Sequence, residues 1–229
     1  VVSRIEQHVV RAHAMDKIEM LARILQADGR GPTIVFCRTK RTAQKTSDDL
    51  FERGFRAATI HGDLGQSARE KALNDFKAGK SDVLIATDVA ARGIDIDGIT
   101  HVINYQCPVD EKTYVHRIGR TARAGAAGIA VTFVDWDELA RWKMIDTALV
   151  LGLPEPVETY SSSEHLFEML NIPAGSTGRM TKKSATAVDK PKSDRPKSDR
   201  PRSEKAVEPK KPAAERVKRE RTRTKRISE

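Results

Sequence analysis

The stretch DVLIATDVAARGIDI, residues 82–96, contains a strand pattern followed directly by a loop pattern. Its first half is an almost uninterrupted apolar run, typical of a strand in a parallel sheet that is covered on both faces. Its second half changes to small residues, an arginine, a glycine and aspartates. Ligands of open parallel sheets bind at the carboxyl ends of the strands, so this second half is a candidate binding loop.

Similar runs and helical patterns alternate on both sides of this stretch. Four more strands are predicted at TIVFC (33–37), AATIHG (57–62), HVINY (101–105) and IAVTFV (129–134). Helices are predicted at 16–25, 41–54, 66–79, from near Asp110 to Gly119, at 135–153 and at 163–171. This alternation predicts an α/β domain over 1–150, with an open, mostly parallel sheet and helices on both faces, and a helical extension over 151–173.

The composition changes after Pro173. Residues 174–229 contain no aromatic residue and carry 19 Lys+Arg against 8 Asp+Glu, whereas residues 1–173 carry 22 against 24. Within them a pentapeptide repeats three times, PKSDR-PKSDR-PRSEK (191–205). Such a segment has little apolar surface to bury and cannot offset the entropy of ordering, so we predict a disordered basic tail.

The two cysteines, Cys37 and Cys107, lie in or beside apolar runs and are expected to be buried free thiols, which suits a reducing compartment. No run approaches the roughly 18–20 apolar residues of a membrane span, and we expect a soluble, intracellular protein. The chain begins with Val rather than Met, and we expect it to be part of a longer polypeptide.

The segment YVHRIGRTARAG (114–125) concentrates arginines at 117, 120 and 123 around a glycine, with no acidic residue between them. Arginine binds phosphate through bidentate, charge-assisted hydrogen bonds. The spacing predicts that Arg117 lies on the last turn of a helix and that Arg120 and Arg123 project from the following loop toward one anion. The alternative is a solvated basic loop.

Three other strand ends could approach a phosphodiester backbone. In ATDVAARGIDI (86–96), small residues and a threonine hydroxyl suit such a contact, although Arg92 could instead pair with Asp95 or Asp97. In HGDLGQSAREK (61–71), helix amides and Arg69 would face an anion. FCRTK (36–40) adds donors at a third strand end. Each of these three is weak alone.

The chain lacks the sequence G-x-x-x-x-G-K-[ST] that wraps nucleotide phosphates, and it has no metal-ligand spacing of Cys and His and no nucleophile–base pattern. It therefore offers arginine donors for a phosphoryl transition state without a phosphate-binding loop. An arginine finger supplied across an interface fits that combination.

At these residues the chain resembles the DEAD-box ATP-dependent RNA helicases, specifically the second of their two RecA-like domains. IVFCRTK is similar to the family's motif IV, HGDLGQSAR to the segment with its Q-x-x-R motif, LIATDVAARGIDI to motif V and YVHRIGRTARAG to motif VI. The match is ordered and spans roughly residues 5–150.

The resemblance implies a role for each matching residue. Asp95 would contact the ATP ribose, with Gly93 in the same nucleotide site, and Arg120 and Arg123 would reach the γ-phosphate as catalytic fingers. His116 and Arg117 would support the interdomain site. The residues along the RNA backbone would be Arg38, Thr39, Gly62, Gln66, Arg69, Thr87, Asp88 and Arg92. ATP and its Mg²⁺ would be held mainly by a missing N-terminal RecA-like domain, and no metal by this chain.

The resemblance further implies that the full-length protein unwinds short RNA duplexes. Because the chain lacks a phosphate-binding loop, we expect this fragment alone to be inactive. The positive charge balance of the tail predicts that it contacts RNA phosphates, and we expect a cytoplasmic protein. The alternatives are a stand-alone RNA-binding or regulatory module, and a relative that acts on DNA. For the tail, the alternatives are a solvated spacer or, in a eukaryote, a nuclear localisation signal. One departure concerns Ala122, where the family usually has Gly; we expect a helical or bridge conformation that accepts its side chain.

Overall fold

Parallel strands form the centre of the computed structural model, which describes residues 4–94, 96–123 and 126–180. The strands are β1 (Ile5–Arg11), β2 (Thr33–Cys37), β3 (Ala57–Ile60), β4 (Val83–Thr87), β5 (His101–Asn104), β6 (Gly128–Val134) and β7 (Val157–Glu158). Their order across the sheet is β3-β4-β2-β5-β6-β1-β7, and every pairing between them is parallel. The predicted RecA-like sheet is therefore confirmed.

Helices connect these strands. They are α1 (Lys17–Ile24), α2 (Lys40–Glu52), α3 (Gln66–Lys77), α4 (Asp88–Ala91), α5 (Glu111–Ile118), α6 (Leu139–Leu149) and α7 (Glu164–Met169). Two of them begin at side-chain caps that satisfy a backbone N–H group: Thr39 accepts from Thr42 N at the start of α2, and Asp110 accepts from Thr113 N at the start of α5. The helix α2 follows the end of β2 after two residues and α5 follows the end of β5 after six, so both starts come after the carboxyl ends of strands.

The strands alternate their buried side chains between two apolar layers. On β2 and β4, Val35, Cys37, Val83 and Ile85 pack with α1, α2 and α7, whereas Ile34, Phe36, Leu84 and Ala86 pack with α3 and α4. Ala130 and Val134 of β6 pack under α5 and α6. Because successive strand residues point to opposite faces, helices cover both faces of the sheet, as predicted.

All five predicted strands are present, and two strands were not predicted. β1 contains the polar run Glu6, Gln7 and His8, which hides its strand character, yet it pairs with β6 over its full length. β7 is only two residues long. The predicted helix over 135–153 is also shorter, because a 3-10 turn at Trp136–Glu138 precedes α6 and Val150 ends it in the left-handed conformation.

Residues 174–180, which we assigned to the tail, are attached to the domain. Gly178 N donates to a Glu19 carboxylate oxygen at 2.9 Å, Arg53 Nη1 donates to Gly178 O at 2.7 Å, and Met180 N donates to Arg53 O at 2.8 Å. Burial raises the pKa of Glu19, but its pairing with Arg53 and Arg23 outweighs this effect and the net shift is downward. The rest of the predicted tail, 181–229, lies outside the described residues.

Both cysteines are buried free thiols, as predicted. Burial raises the pKa of Cys37 to about 12 and that of Cys107 to about 11, so neither thiol ionises at neutral pH. Within the described ranges, no helix is both long enough and apolar enough to span a bilayer.

Candidate nucleic-acid and nucleotide interface

The carboxyl edge of the sheet brings the predicted RNA-contacting residues together. Arg38 and Thr39 follow β2, Gly62 follows β3, and the segment from Thr87 to Arg92 ends β4. Since β3, β4 and β2 are neighbours in the sheet and parallel strands are spaced by about 4.8 Å, these three strand ends form one continuous edge. The Thr39 hydroxyl caps α2, and both Thr39 and Gly62 are exposed.

Arg117 and Asp88 form a two-point ion pair beneath this edge. Arg117 Nε donates to Asp88 Oδ1 at 2.6 Å and Arg117 Nη2 donates to Oδ2 at 2.7 Å. Arg117 Nη1 donates to Asn104 Oδ1 and to Gln106 O, and the guanidinium lies 5.3 Å from the Phe36 ring centroid. The domain therefore supplies the anion that neutralises Arg117, which leaves only 1% of this residue exposed.

This pairing sharpens the roles predicted for both residues. Asp88 was predicted to lie along the RNA path, and both of its oxygens accept hydrogen bonds from Arg117. Arg117 was predicted to support the interdomain site, and its side chain donates to Asp88, Asn104 and Gln106. The pair positions the turn after β4 against the last turn of α5.

The turn after β4 is held open toward solvent. Thr87 precedes the one-turn helix α4 and is buried, while Arg92 at its end is exposed. Gly93 follows with a φ of 71°, a left-handed conformation that glycine adopts without strain. Arg69 reaches across from α3 and donates to Ala90 O at 2.9 Å, which fixes the end of α4. Asp95, the predicted ribose contact, lies outside the described residues.

The segment after β3 reaches solvent at the same edge. Gln66 is the first residue of α3 and is exposed, and its amide donates to Glu70 at 2.6 Å. A Cβ added to Gly62 would meet no atom within 4 Å, so the space beside this backbone is open. A phosphodiester could approach here without displacing protein atoms.

Glu138 is a functional contact that our sequence reasoning missed. Its buried carboxylate pairs with Arg38 and lies 3.7 Å from Lys17 Nζ. It also accepts from the backbone N–H groups of Cys107 and Asp135 and completes a capping box with Asp135. The signature of an acidic N-cap followed three residues later by Glu is visible in DWDE, and it could have revealed this residue.

These contacts orient the predicted RNA-binding residue Arg38. Its backbone N–H donates to Gln106 Oε1 at 3.0 Å while its side chain pairs with Glu138. Burial lowers the pKa of Lys17 beside it, and the nearby Asp135 partly offsets that effect. Arg38 is therefore oriented by charged partners at the start of α2.

The loop after α5 carries the predicted catalytic arginines. The helix ends at Ile118 with Gly119 as its C-cap, as predicted. Arg120 Nη1 donates to Ile94 O at 2.9 Å, and Arg123 Nε donates to Gly119 O at 3.3 Å. The first bond ties the loop to the segment after β4, and the second lies within the loop.

The expected conformation of Ala122 is wrong. Its φ is 55°, in the left-handed region, which costs a residue with a Cβ roughly 1–2 kcal/mol. Its side chain is buried among Tyr114, Ile118 and neighbouring apolar residues, and this packing partly offsets the strain. Thr121 fixes the turn further by donating to Ile99 O at 2.6 Å.

A small open pocket joins the two halves of the site. Its volume is about 70 Å³, and it is lined by Phe36, Asp88, Ala91, Arg92, Thr113, His116, Arg117 and Arg120. The pocket therefore brings His116 and Arg120 from the α5 segment to Arg92 from the β4 turn. Arg123 and the predicted contacts after β2 and β3 are not part of its lining.

The pocket suits phosphate oxygens rather than a whole nucleotide. Small-molecule sites usually measure about 300–1,000 Å³, well above this volume. The guanidinium groups of Arg92 and Arg120 are of the type that binds phosphate. Among the described residues, no cluster of three or more His, Cys, Asp or Glu side chains could hold a metal ion.

Comparisons with known proteins show which family this chain resembles. The family described as helicase conserved C-terminal domain matches residues 16–125. ATP-dependent RNA helicase CshA of Listeria monocytogenes is 50% identical over 142 residues, which are 62% of this chain and 27% of the relative. The chain thus spans little more than a quarter of the length of this curated relative.

Solved structures agree with this match. The C-terminal domain of the DEAD-box protein Dbp5 has a TM-score of 0.64 and 32% identity, over 74% of this chain and 98% of that one. S. cerevisiae Dbp5 bound to RNA and ADP BeF3 has a TM-score of 0.63 and 32% identity, over 73% of this chain and 44% of that one. The chain therefore belongs to the DEAD-box RNA helicase family, in which it corresponds to the C-terminal domain.

Proposed function

We propose that this chain is the half of an ATP-dependent RNA helicase that binds the RNA backbone and donates arginines to ATP. The observation that carries the proposal is the pocket that places Arg120 and His116 beside Arg92 at the carboxyl edge of the sheet. One side of this pocket continues into the strand ends that match the RNA-contacting motifs, and the other continues into the arginine loop.

On the nucleotide side, Arg120 and Arg123 would meet the γ-phosphate of an ATP that a second RecA-like domain holds together with Mg²⁺. The size of the pocket supports this division, because about 70 Å³ suits phosphate oxygens better than a whole nucleotide. ATP would supply the phosphoryl group for hydrolysis. The arginines of this chain would orient that group and neutralise the charge that develops on it. Asp95 would contact the ribose of the ATP, and Gly93 would lie in the same nucleotide site.

On the RNA side, contacts would go to phosphates and ribose rather than to base edges. The exposed groups at the strand ends are Thr39, Gly62, Gln66 and Arg92. Arg38 and Arg69 are partly buried and oriented by other residues, and Asp88 holds Arg117 instead of touching phosphate. Backbone contacts carry little sequence information, so we infer binding and local unwinding of many RNA sequences.

The ion pair between Asp88 and Arg117 links these two sides. Arg92 lies one helical turn after Asp88, and Arg120 lies just after the helix that carries Arg117. A shift of the β4 turn on RNA binding would therefore move the arginine loop as well. This geometry supports ATP hydrolysis that depends on RNA.

RNA-stimulated ATP turnover tests the proposal. We expect no turnover from the 229-residue chain alone, and RNA-dependent turnover from the protein extended upstream to include the nucleotide-binding domain. In the extended protein, Arg120→Ala should lower turnover about a thousandfold or more, since an arginine finger contributes that much. RNA binding, measured by fluorescence anisotropy, should persist.

Arg56→Ala provides the matched control. Arg56 is exposed and precedes β3, at the opposite edge of the sheet, so its removal should leave turnover unchanged. Unchanged turnover in Arg120→Ala would refute the finger role. RNA binding without ATP turnover in the extended protein would favour the stand-alone RNA-binding module.

A further inference from the structure

Trp136 lies exposed at the same edge of the sheet as the candidate RNA path. It follows β6 by two residues and is 40% exposed, whereas Trp142, the second tryptophan of the chain, is completely buried. The motifs that match the helicase family do not include it. Its position puts a partly exposed indole at the edge of the sheet where ligands bind.

The Trp136 ring is held in a fixed orientation. The Arg11 guanidinium lies 5.3 Å from its ring centroid, and the His13 ring packs against it edge-on with centroids 5.8 Å apart. Arg11 is itself held by Glu158 at 3.1 Å, and the Trp136 backbone N–H donates to Asp135 Oδ1. A preordered ring loses little side-chain entropy when a flat group stacks on it.

The ring lies within reach of an RNA strand that passes Arg38. Two strand spacings, about 10 Å, separate the ends of β2 and β6, since only β5 lies between them. Arg38 also pairs directly with Glu138, two residues after the tryptophan. A strand bound at Arg38 therefore needs only one or two further nucleotides to reach Trp136.

The groove between Arg38 and Trp136 is lined by equal numbers of positive and negative side chains. It has a volume of about 380 Å³, and its four cationic side chains are matched by four carboxylates, including Asp135, Asp137 and Glu138. Such a groove offers phosphate no net attraction. Any binding energy gained here must come from another part of the nucleotide, and the part of the Trp136 ring that Arg11 and His13 leave exposed suits a base.

We propose that Trp136 is a stacking platform for an RNA base, which extends the backbone path from Arg38 toward β1. The site takes a single-stranded nucleotide of any sequence, because every base has a face that stacks on an indole. The proposal rests on the RNA binding proposed above and adds to it a base contact outside the motifs of the family.

The intrinsic fluorescence of the full chain tests this proposal directly, because Trp136 is its one exposed tryptophan. We expect a ten-residue oligouridylate to quench the emission, and an abasic ribose-phosphate oligomer of the same length to bind without quenching. Trp136→Phe should remove the quenched signal while keeping most of the affinity, because phenylalanine also stacks.

Affinity and its salt dependence give the second readout. Trp136→Ala should weaken oligouridylate binding about five- to hundredfold, as loss of one stacked base does. It should leave the slope of log affinity against log salt unchanged, whereas Arg92→Ala should reduce that slope by about one. Phe51→Ala, an exposed aromatic near the end of α2 at the opposite edge, is the matched control and should bind like the wild type.

The outcomes separate this proposal from the one on which it rests. RNA binding without quenching, together with wild-type affinity in Trp136→Ala, would overturn the stacking site while leaving RNA binding intact. The exposed surface would then serve a different partner, such as a protein. Failure of the chain to bind either oligomer would overturn both proposals.

Discussion

Arg117 and Asp88 lie 29 residues apart in the chain and meet through two hydrogen bonds of 2.6 and 2.7 Å. This pair joins the last turn of α5 to the turn that follows β4. In the sequence, three arginines at 117, 120 and 123 cluster without an acidic residue between them, and the last two are predicted to face one anion. In the fold, the first of them is neutralised internally, and Arg120 and Arg123 continue from it in the loop.

Removal of the Asp88 carboxylate should destabilise the domain strongly. Asp88→Ala leaves the Arg117 guanidinium buried without its anion, and loss of one partner of a buried pair costs about 3–5 kcal/mol. Because Asp88 itself is partly exposed, we expect about 3 kcal/mol. Urea unfolding at pH 7 measures the change in the free energy of unfolding.

The double variant Asp88→Ala with Arg117→Met should recover part of this loss, because no unpaired charge then remains buried. Lys45→Ala is the control, since it breaks an exposed ion pair with Asp49 within α2 and should cost less than about 1 kcal/mol. A loss below 1 kcal/mol in Asp88→Ala would show that the pair does not hold the loop.

Burial of His101 should make the domain less stable in mild acid. Burial and the nearby Arg30 lower the pKa of His101 from 6.5 to about 4, and the residue is only 4% exposed. Above pH 6.5 the ring is neutral in both states and its contribution is constant. Below pH 6.5 the unfolded chain binds the proton first, so stability falls until about pH 4, by about 3 kcal/mol in total.

Urea unfolding of the wild type and of His101→Asn at pH 7 and pH 5 isolates this effect. Asparagine keeps a polar atom near Thr100 Oγ1, which lies 2.8 Å from His101 Nδ1, and it does not titrate. We expect the wild type to lose about 2 kcal/mol more than the variant between these two pH values. Equal losses would show that His101 titrates normally in the folded state.

Substitution of Ala122 by glycine should be nearly neutral, although the residue is buried. Glycine removes the left-handed strain of roughly 1–2 kcal/mol at a φ of 55°. It also loses a buried methyl group worth about 0.8 kcal/mol and gains freedom in the unfolded chain worth about 0.4–1 kcal/mol. Thermal unfolding should therefore show a change within about 0.5 kcal/mol.

Ala72→Gly in the middle of α3 is the matched control for this substitution. Its backbone is helical, no strain is relieved, and the cost should be about 1 kcal/mol. A loss of 1 kcal/mol or more in Ala122→Gly would mean that the loop conformation is not strained.

Removal of residues 181–229 should weaken RNA binding and flatten its salt dependence. By sequence they carry 18 Lys+Arg against 8 Asp+Glu, and each phosphate contact releases counterions. The truncation should follow Met180 rather than Pro173, because residues 174–180 are bonded to α1 and α2. Anisotropy titrations between 50 and 200 mM salt measure the slope.

Replacement of the same residues by an uncharged Gly/Ser segment of equal length separates charge from length. A slope that matches the wild type in both variants would identify these residues as a spacer. Met180 lies near Arg53, at the edge opposite the candidate RNA site, so the truncation leaves the groups of the sheet edge unchanged.

Strand positions could be predicted from sequence only where both faces of the strand are buried. Strands β2 and β4 are buried on both faces and show continuous apolar runs, so their positions follow from sequence alone. β1 is amphipathic and contains Glu6, Gln7 and His8, so its strand character depends on its pairing with β6. The conformation of Ala122 was predicted incorrectly, because its φ is imposed by packing around Thr121 rather than by local propensity.

The α/β class, the parallel sheet, the two buried thiols and the loops that carry the family motifs could all be predicted from the chain alone. These features depend on hydrophobic periodicity and on residues close together in the chain. Three further features became known only from the fold: Asp88 neutralises Arg117, Glu138 orients Arg38, and Trp136 lies exposed at the candidate RNA edge. Each of these depends on side chains from distant segments, and only the order of the strands brings those segments together.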